Sequence, residues 1–211
     1  MRKRYIQKIL FCGVALMLAA FPVFAQKVIA QKVEPVKEIQ INKMPLQDFG
    51  SFVKYKVSGN ETDLSLPFKI VLEGFLDKDG KLDRQQSKFI LSEGSEQTAE
   101  IAKSGIEAFN DSGWLAYLRN LGAEKVKITL TQDQANFNAS IESELISQEK
   151  AKTVASALAV YISLAKPKIT GQDEKTILSG LQQPTANGKV FILNFALPKQ
   201  IVQDMIIRGL K

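Results

Sequence analysis

The sequence predicts an α+β fold: a mainly antiparallel sheet of about five strands with helices packed on it. Segments with apolar residues at every second position occur in pairs joined by turn residues, which is the pattern of β-hairpins. Each pair is followed by a segment with the apolar spacing of a helix. The predicted fold therefore consists of two hairpin–helix units and a terminal helix–strand–helix.

The first hairpin–helix unit lies within Leu66–Phe109. Asp79-Gly80 suits the tight turn of the hairpin, because both central residues of a type I′ turn need positive φ. Ser95 is expected to cap the helix that follows. The apolar residues that share one face of the first strand are Phe68, Ile70, Leu72 and Leu76.

A calcium-binding loop is the alternative for the same turn. If Gly80 is the sixth residue of an EF-hand, Asp77 and Asp79 occupy the third and fifth positions, which do carry oxygen ligands. The first and twelfth positions are then Phe75 and Gln86, so the ligand at one end and the bidentate Glu at the other are missing. The sequence favours a hairpin turn, and we predict no metal site here.

The Leu66–Phe109 stretch resembles the C-terminal domain of TonB proteins. It carries a strand running into LDKDGKLD, a second strand running into SEG, and a helix of the form AEIAKSGIEAF. In that family a strand ends in a D-x-x-G-type turn, a second strand ends near a Ser-Gly pair, and an Ala-rich helix follows. Here Glu93-Gly94-Ser95 stands in place of the Ser-Gly pair, and Trp114–Leu121 intervenes before the next strand. The resemblance implies an envelope protein that has a protein partner.

The segment between the two units is expected to form a short helix. Ser112 is placed to cap Gly113–Leu121, and Gly122 to end it. At this spacing, Trp114 and Tyr117 fit anchors of the core better than an exposed binding platform.

The second unit repeats the order of the first. Lys125–Thr131 and Phe137–Glu142 alternate apolar and polar side chains on either side of a turn at Gln132-Asp133-Gln134. Ser147 is expected to cap a long helix that ends at Pro167.

The terminal unit begins with a helix over Asp173–Leu181. Asn187-Gly188 then turns the chain into Val190–Leu197, whose nearly continuous apolar run predicts a central strand covered on both faces. Pro198 suits the first turn of a last helix.

Residues 1–25 have the three parts of a secretory signal peptide. A basic start is followed by an apolar core and by Val23-Phe24-Ala25, a small-x-small cleavage site. Cleavage after Ala25 predicts a periplasmic or secreted protein. The alternative is a membrane anchor over residues 9–25, a run at the lower limit for spanning a bilayer and interrupted by Pro22. Membrane contact is expected only if this segment is not cleaved.

Residues 26–63 are predicted to be an extended tether, because they lack a sustained period and contain Pro35, Pro45 and two glycines. An apolar patch around Phe49 and Tyr55 is expected to dock as an edge strand or a short helix. The folded part is then 64–211, as one domain or as two small lobes, 64–122 and 123–211.

The composition excludes several function classes. Residues 1–25 hold four of the 28 Lys and Arg residues and no acid, so their removal leaves 24 basic and 22 acidic residues. No dense basic run remains, so we expect no nucleic-acid partner. The chain has no His, and its one Cys, Cys12, lies in the signal segment. Ser-His-Asp triads, Cys-His pairs and His-ligated zinc are therefore excluded after cleavage.

The sequence consequently predicts neither catalytic residues nor a cofactor. The acidic residues of the hairpins, Glu73, Asp77, Asp79, Asp83, Glu142 and Glu144, form no evident cluster. We predict a non-enzymatic protein-interaction module of the cell envelope that resembles the TonB C-terminal domain. The alternative is a periplasmic carrier of a small apolar ligand or lipid, with the Ala-rich helix and Trp114 forming one wall of its pocket.

Overall fold

The computed structural model describes residues 39–59, 62–165, 167 and 171–210, so the predicted signal segment and its cleavage site lie outside the described residues. The strands are β1 (Phe68–Phe75), β2 (Lys88–Gly94), β3 (Lys125–Gln132), β4 (Asn136–Glu144), β5 (Thr185–Asn187) and β6 (Val190–Pro198). The helices are α1 (Met44–Ser58), α2 (Glu96–Asp111), α3 (Ala116–Asn120), α4 (Gln148–Ala165), α5 (Gln172–Gly180) and α6 (Lys199–Leu210).

The six strands form one open, fully antiparallel sheet in the order β2-β1-β3-β4-β6-β5, which confirms the predicted α+β fold. The predicted hairpins are β1–β2 and β3–β4. Because β1 also pairs with β3, residues 64–122 and 123–211 contribute strands to the same sheet.

One face of the sheet carries the hydrophobic core. Ile70, Leu130 and Ala139 lie side by side on β1, β3 and β4, and Phe195 of β6 continues the line. All four side chains are buried, together with apolar residues of α2, α4, α5 and α6. Trp114 and Tyr117 are buried in the same core, as predicted for core anchors.

Helix α1 occupies part of the segment that the sequence analysis assigned to the extended tether. Its Leu46 and Val53 are buried, and the ring of Phe49 packs over Gly105 of α2, where an added Cβ would lie 3.1 Å from the ring, closer than an ordinary contact. The predicted tether therefore does not describe residues 44–58. The apolar patch forms a helix longer than expected, which docks through Phe49 against Gly105 of α2, whereas Tyr55 is exposed.

The connection between β1 and β2 is longer than the predicted two-residue turn. Leu76 and Leu82 form a bridge around one turn, and a second turn at Asp83 precedes the start of β2 at Lys88. The first turn is tied to the end of α2, since the buried Asn110 Oδ1 accepts a hydrogen bond of 2.7 Å from the Leu82 N–H.

Three of the predicted helix caps behave differently from one another. Ser147 Oγ accepts a hydrogen bond from the Lys150 N–H (3.1 Å), as a capping serine does. Ser95 precedes α2 without a side-chain capping bond. Ser112 does not begin the short helix: its hydroxyl donates to the Phe109 carbonyl at the end of α2, and α3 starts only at Ala116.

Strand β6 is interior in the sheet order, but the prediction that both of its faces are covered is wrong. Phe191, Leu193 and Phe195 are buried on the core face, whereas the opposite face is half-buried at Val190, Ile192, Asn194 and Ala196 and exposed at Pro198. The short strand β5, which the sequence analysis did not predict, pairs with β6 across the Asn187-Gly188 turn.

Candidate interaction surface

The face of the sheet opposite the core forms a broad polar surface, called here the open face. Its centre is built by the alternate residues of β3 and β4, namely Lys125, Lys127, Thr129 and Thr131 on β3 and Asn138, Ser140, Glu142 and Glu144 on β4. Successive side chains of a strand point to opposite faces of the sheet. Because Ile128 and Ile141 are buried on the core face, the polar residues next to them in sequence lie on the open face.

One line of the open face carries charges of alternating sign. The strand register places Lys88 beside Glu73, Glu73 beside Lys127 and Lys127 beside Glu142. Lys127 Nζ lies 4.0 Å from a Glu73 carboxylate oxygen, and both side chains are about half exposed. In the next line the Lys125 ammonium lies 3.7 Å from Glu144. We call the four-residue line Lys88–Glu73–Lys127–Glu142 the charge row.

The six acidic residues of the hairpins lie in two places. Glu73, Glu142 and Glu144 are in the two lines of charges on the open face, and Asp77, Asp79 and Asp83 are in the two turns between β1 and β2. Asp77 Oδ1 accepts hydrogen bonds from the N–H groups of Asp79 (2.9 Å) and Lys81 (2.8 Å), which closes the first β1–β2 turn. Asp83 Oδ1 accepts from the Gln85 N–H (2.8 Å) in the second turn. Across the part of the chain that the structure describes, no three His, Cys, Asp or Glu residues are grouped as metal ligands would be.

A shallow depression of about 290 Å³ lies on the open face next to the charge row. Its lining includes Thr129, Thr131, Asn138, Ser140, Gln182 and Asn194. Register places Thr129, Ser140 and Asn194 in one line, and the Gln182 N–H extends it by donating to the Asn194 carbonyl (2.9 Å). This depression is open, and about half of its lining is polar, so it is not the enclosed, mainly apolar pocket that the carrier alternative requires.

The outer edge of β2 offers unpaired backbone groups. In the described sheet β2 has β1 as its single neighbour. From Leu91 to Gly94 it runs in regular register with β1. Between Leu91 and Phe89 the register of β2 with β1 shifts, so Ile90 has no partner on β1. The Ile90 side chain is 44% exposed. The regular part is thus a four-residue edge next to an exposed apolar side chain.

The opposite edge of the sheet is shorter and interrupted. Strand β5 has three residues, and Pro184, which cannot donate a backbone hydrogen bond, immediately precedes it. Helix α4 packs against β5. Of the two edges of the described sheet, β2 is therefore the better template for another strand.

Within the described residues, none of the helices is both long enough and apolar enough to cross a bilayer. No family model matches the chain, and comparisons with curated proteins and with solved structures likewise return no match. The TonB-like resemblance of residues 66–109 and the carrier alternative both remain predictions from the sequence.

Sequence reasoning placed the hairpins but did not find the features of this surface. The edge position of β2 and the charge row depend on which strands become neighbours. A signal for the row was present in the alternation of Lys125 and Lys127 with apolar residues, and of Glu142 and Glu144 with apolar residues. Only the pairing of β1 with β3 brings Glu73 next to Lys127.

Proposed function

We propose that this protein is an exported, non-enzymatic module of the cell envelope that binds another protein by strand addition at the outer edge of β2. The exposed edge at Leu91–Gly94 is the observation that carries the proposal. An extended peptide that joins such an edge gains main-chain hydrogen bonds, and the side chains beside it determine specificity.

The edge defines the chemistry of the partner strand. On the open face, a docked strand lies beside Leu91 and Glu93, which are in register with Val71 and Lys69. Apolar pairs and oppositely charged pairs stabilise neighbouring strands. The matching partner segment therefore carries an apolar residue and a basic residue two positions apart. Ile90, at the shifted end of the edge, offers an additional apolar contact.

The test removes outward backbone donors one at a time. Along a strand, consecutive residues direct their N–H groups to opposite edges, so one of Ser92→Pro and Glu93→Pro removes a donor that faces outward. The other breaks the ladder to β1 and lowers the melting temperature, which identifies it. Glu93→Gln is the matched control: it keeps the backbone donor and removes one cross-strand charge pair, worth about 0.2–1 kcal/mol, so it should weaken capture by no more than about fivefold.

Each variant of the exported chain is used for affinity capture from its own envelope extract, followed by mass spectrometry. We expect a partner protein that wild type and Glu93→Gln retain and that the folded proline variant loses. Equal capture by the folded proline variant would refute strand addition at this edge. Lipid recovered in stoichiometric amount from the same wild-type sample would instead support the carrier alternative.

A further inference from the structure

The charge row on the open face has a pattern that matches itself after a half-turn. Read across β2, β1, β3 and β4, its charges run plus, minus, plus, minus. A two-fold axis parallel to the strands, placed between β1 and β3 above the open face, brings a second copy face to face with its row reversed. Glu73 then faces Lys127 of the second copy, and Lys88 faces Glu142 of the second copy.

The neighbouring lines of the open face are compatible with the same axis. Phe75 comes opposite Lys125 of the second copy, a pairing already present within the chain, where the Lys125 ammonium lies 5.5 Å from the ring centre of Phe75. In the line on the other side, Val71 comes opposite Thr129. No like charges meet in these lines.

A two-fold axis across the strands also stacks the faces, and it places each strand opposite the same strand of the second copy. With this axis on the line of Val71 and Thr129, Glu73 faces Lys69 and Lys88 faces Glu93. Lys127 and Glu142 then face the uncharged Thr131 and Asn138, so they lose water without gaining an opposite charge. Of these two axes, the one parallel to the strands is the one that pairs all four charges of the charge row.

The size of the overlap sets the strength of the contact. Four strands spaced about 4.8 Å apart and about 27 Å long cover about 500 Å² on each copy. The total of about 1,000 Å² lies at the lower limit for specific interfaces. Exposed ion pairs are also screened by salt.

We propose that the open face is a self-association surface, on which two copies of this chain pair through the charge row to form a weak, salt-sensitive dimer. The aligned packing of two sheets in a β-sandwich is the corresponding geometry. This inference does not depend on the function proposed for the β2 edge.

The experiment uses two charge reversals, Glu73→Lys and Lys127→Glu, in analytical ultracentrifugation of the exported chain. Each variant alone places like charges at the centre of the interface, so we expect its dimer to dissociate about tenfold more readily or worse. Mixed in equal amounts, the two variants are fully complementary, because the new ammonium of the first variant meets the new carboxylate of the second. Every other facing pair in the row is also opposite in sign, so the mixture should recover dimer.

Matched controls separate this contact from effects within the chain. Lys152→Glu reverses an exposed charge on α4, which packs on the core side of the sheet, and should leave dimerisation unchanged. Circular dichroism melts should show that all variants fold, because exposed ion pairs contribute little to stability. The in-chain pair of Glu73 and Lys127 stays broken in the mixture, so a rescue by mixing requires contact between chains.

We expect wild type to dimerise at about 0.01 M salt, where screening is weak, and to dissociate at about 1 M. A wild type that is monomeric at low salt would overturn the proposal. Single variants that dimerise as wild type does, or a mixture of two monomeric variants that stays monomeric, would overturn it equally.

Discussion

The replacement Gly80→Ala tests how tightly the first β1–β2 turn packs on α3. Gly80 has a φ of 78°, and a Cβ built on it would lie 2.7 Å from the Ala116 nitrogen, closer than side chains approach backbone. An alanine in this left-handed conformation costs about 1–2 kcal/mol. Forcing an extra carbon into a packed site costs about 1–3 kcal/mol more. We expect the free energy of unfolding to fall by about 2–5 kcal/mol, a large part of the roughly 5–15 kcal/mol typical of a folded protein.

Gly188→Ala is the internal control for this prediction. Gly188 also has positive φ, 56°, but a Cβ there meets no atom within 4 Å. Its cost is therefore the conformational one alone, about 1–2 kcal/mol. The stabilisation that both variants gain from a less flexible unfolded chain cancels in the comparison. Urea unfolding of the two variants measures the difference, and equal losses would show that the turn does not pack on α3 as described.

Three further predictions concern the core, pH and calcium. Phe195→Ala should lower stability by about 3–5 kcal/mol in urea unfolding, because the ring is buried at the centre of the core; a loss under about 1 kcal/mol would be the value for a surface site. Hydrogen bonds from the Asn136 and Ala135 N–H groups lower the pKa of Asp133 below its ordinary value of 3.8. The stability they contribute is present above about pH 4 and is lost as the pH falls through the folded-state pKa. Asp133→Asn should therefore lose less stability than wild type between pH 6 and acid; an equal loss would exclude this contribution. Thermal melts with excess calcium and with EDTA should coincide, because the Asp77 carboxylate already closes its own turn; a rise of several degrees in calcium would show binding to the native state.

The local patterns predicted most of the strands because a sheet with one covered face needs period-two alternation. They missed β5, since the three residues Thr185–Asn187 are too few to show a period. The apolar run of β6 suggested two covered faces, yet Ile192 is half-buried beside the polar groups of the open face. Helix α1 had a readable signal in the spacing of Leu46, Phe49 and Val53, which the prolines and glycines around it obscured.

The surface features were less predictable than the fold. Strand β2 lies at the edge of the sheet because the sheet extends from the other side of β1, where β1 pairs with β3. That pairing joins residues that are far apart in the sequence. The shift in register that exposes Ile90 depends on how β2 closes against β1 after the two turns. No local pattern encodes either arrangement, because both follow from the packing of distant segments.

The order of the strands also determines how the chain acquires its structure. The two hairpins form from neighbouring residues, whereas β4 finds its second neighbour only when Ala139 pairs with Phe195, far along the chain. Pairing over such separations is slow, because a long loop must close before any contact forms. Before β6 pairs with β4, the sheet has an unpaired edge at β4 in addition to the one at β2, and the core lacks the side chains of Phe191 and Phe195. A chain that stopped before residue 190 would keep both defects, and we expect it to aggregate rather than to fold as a smaller version of the protein.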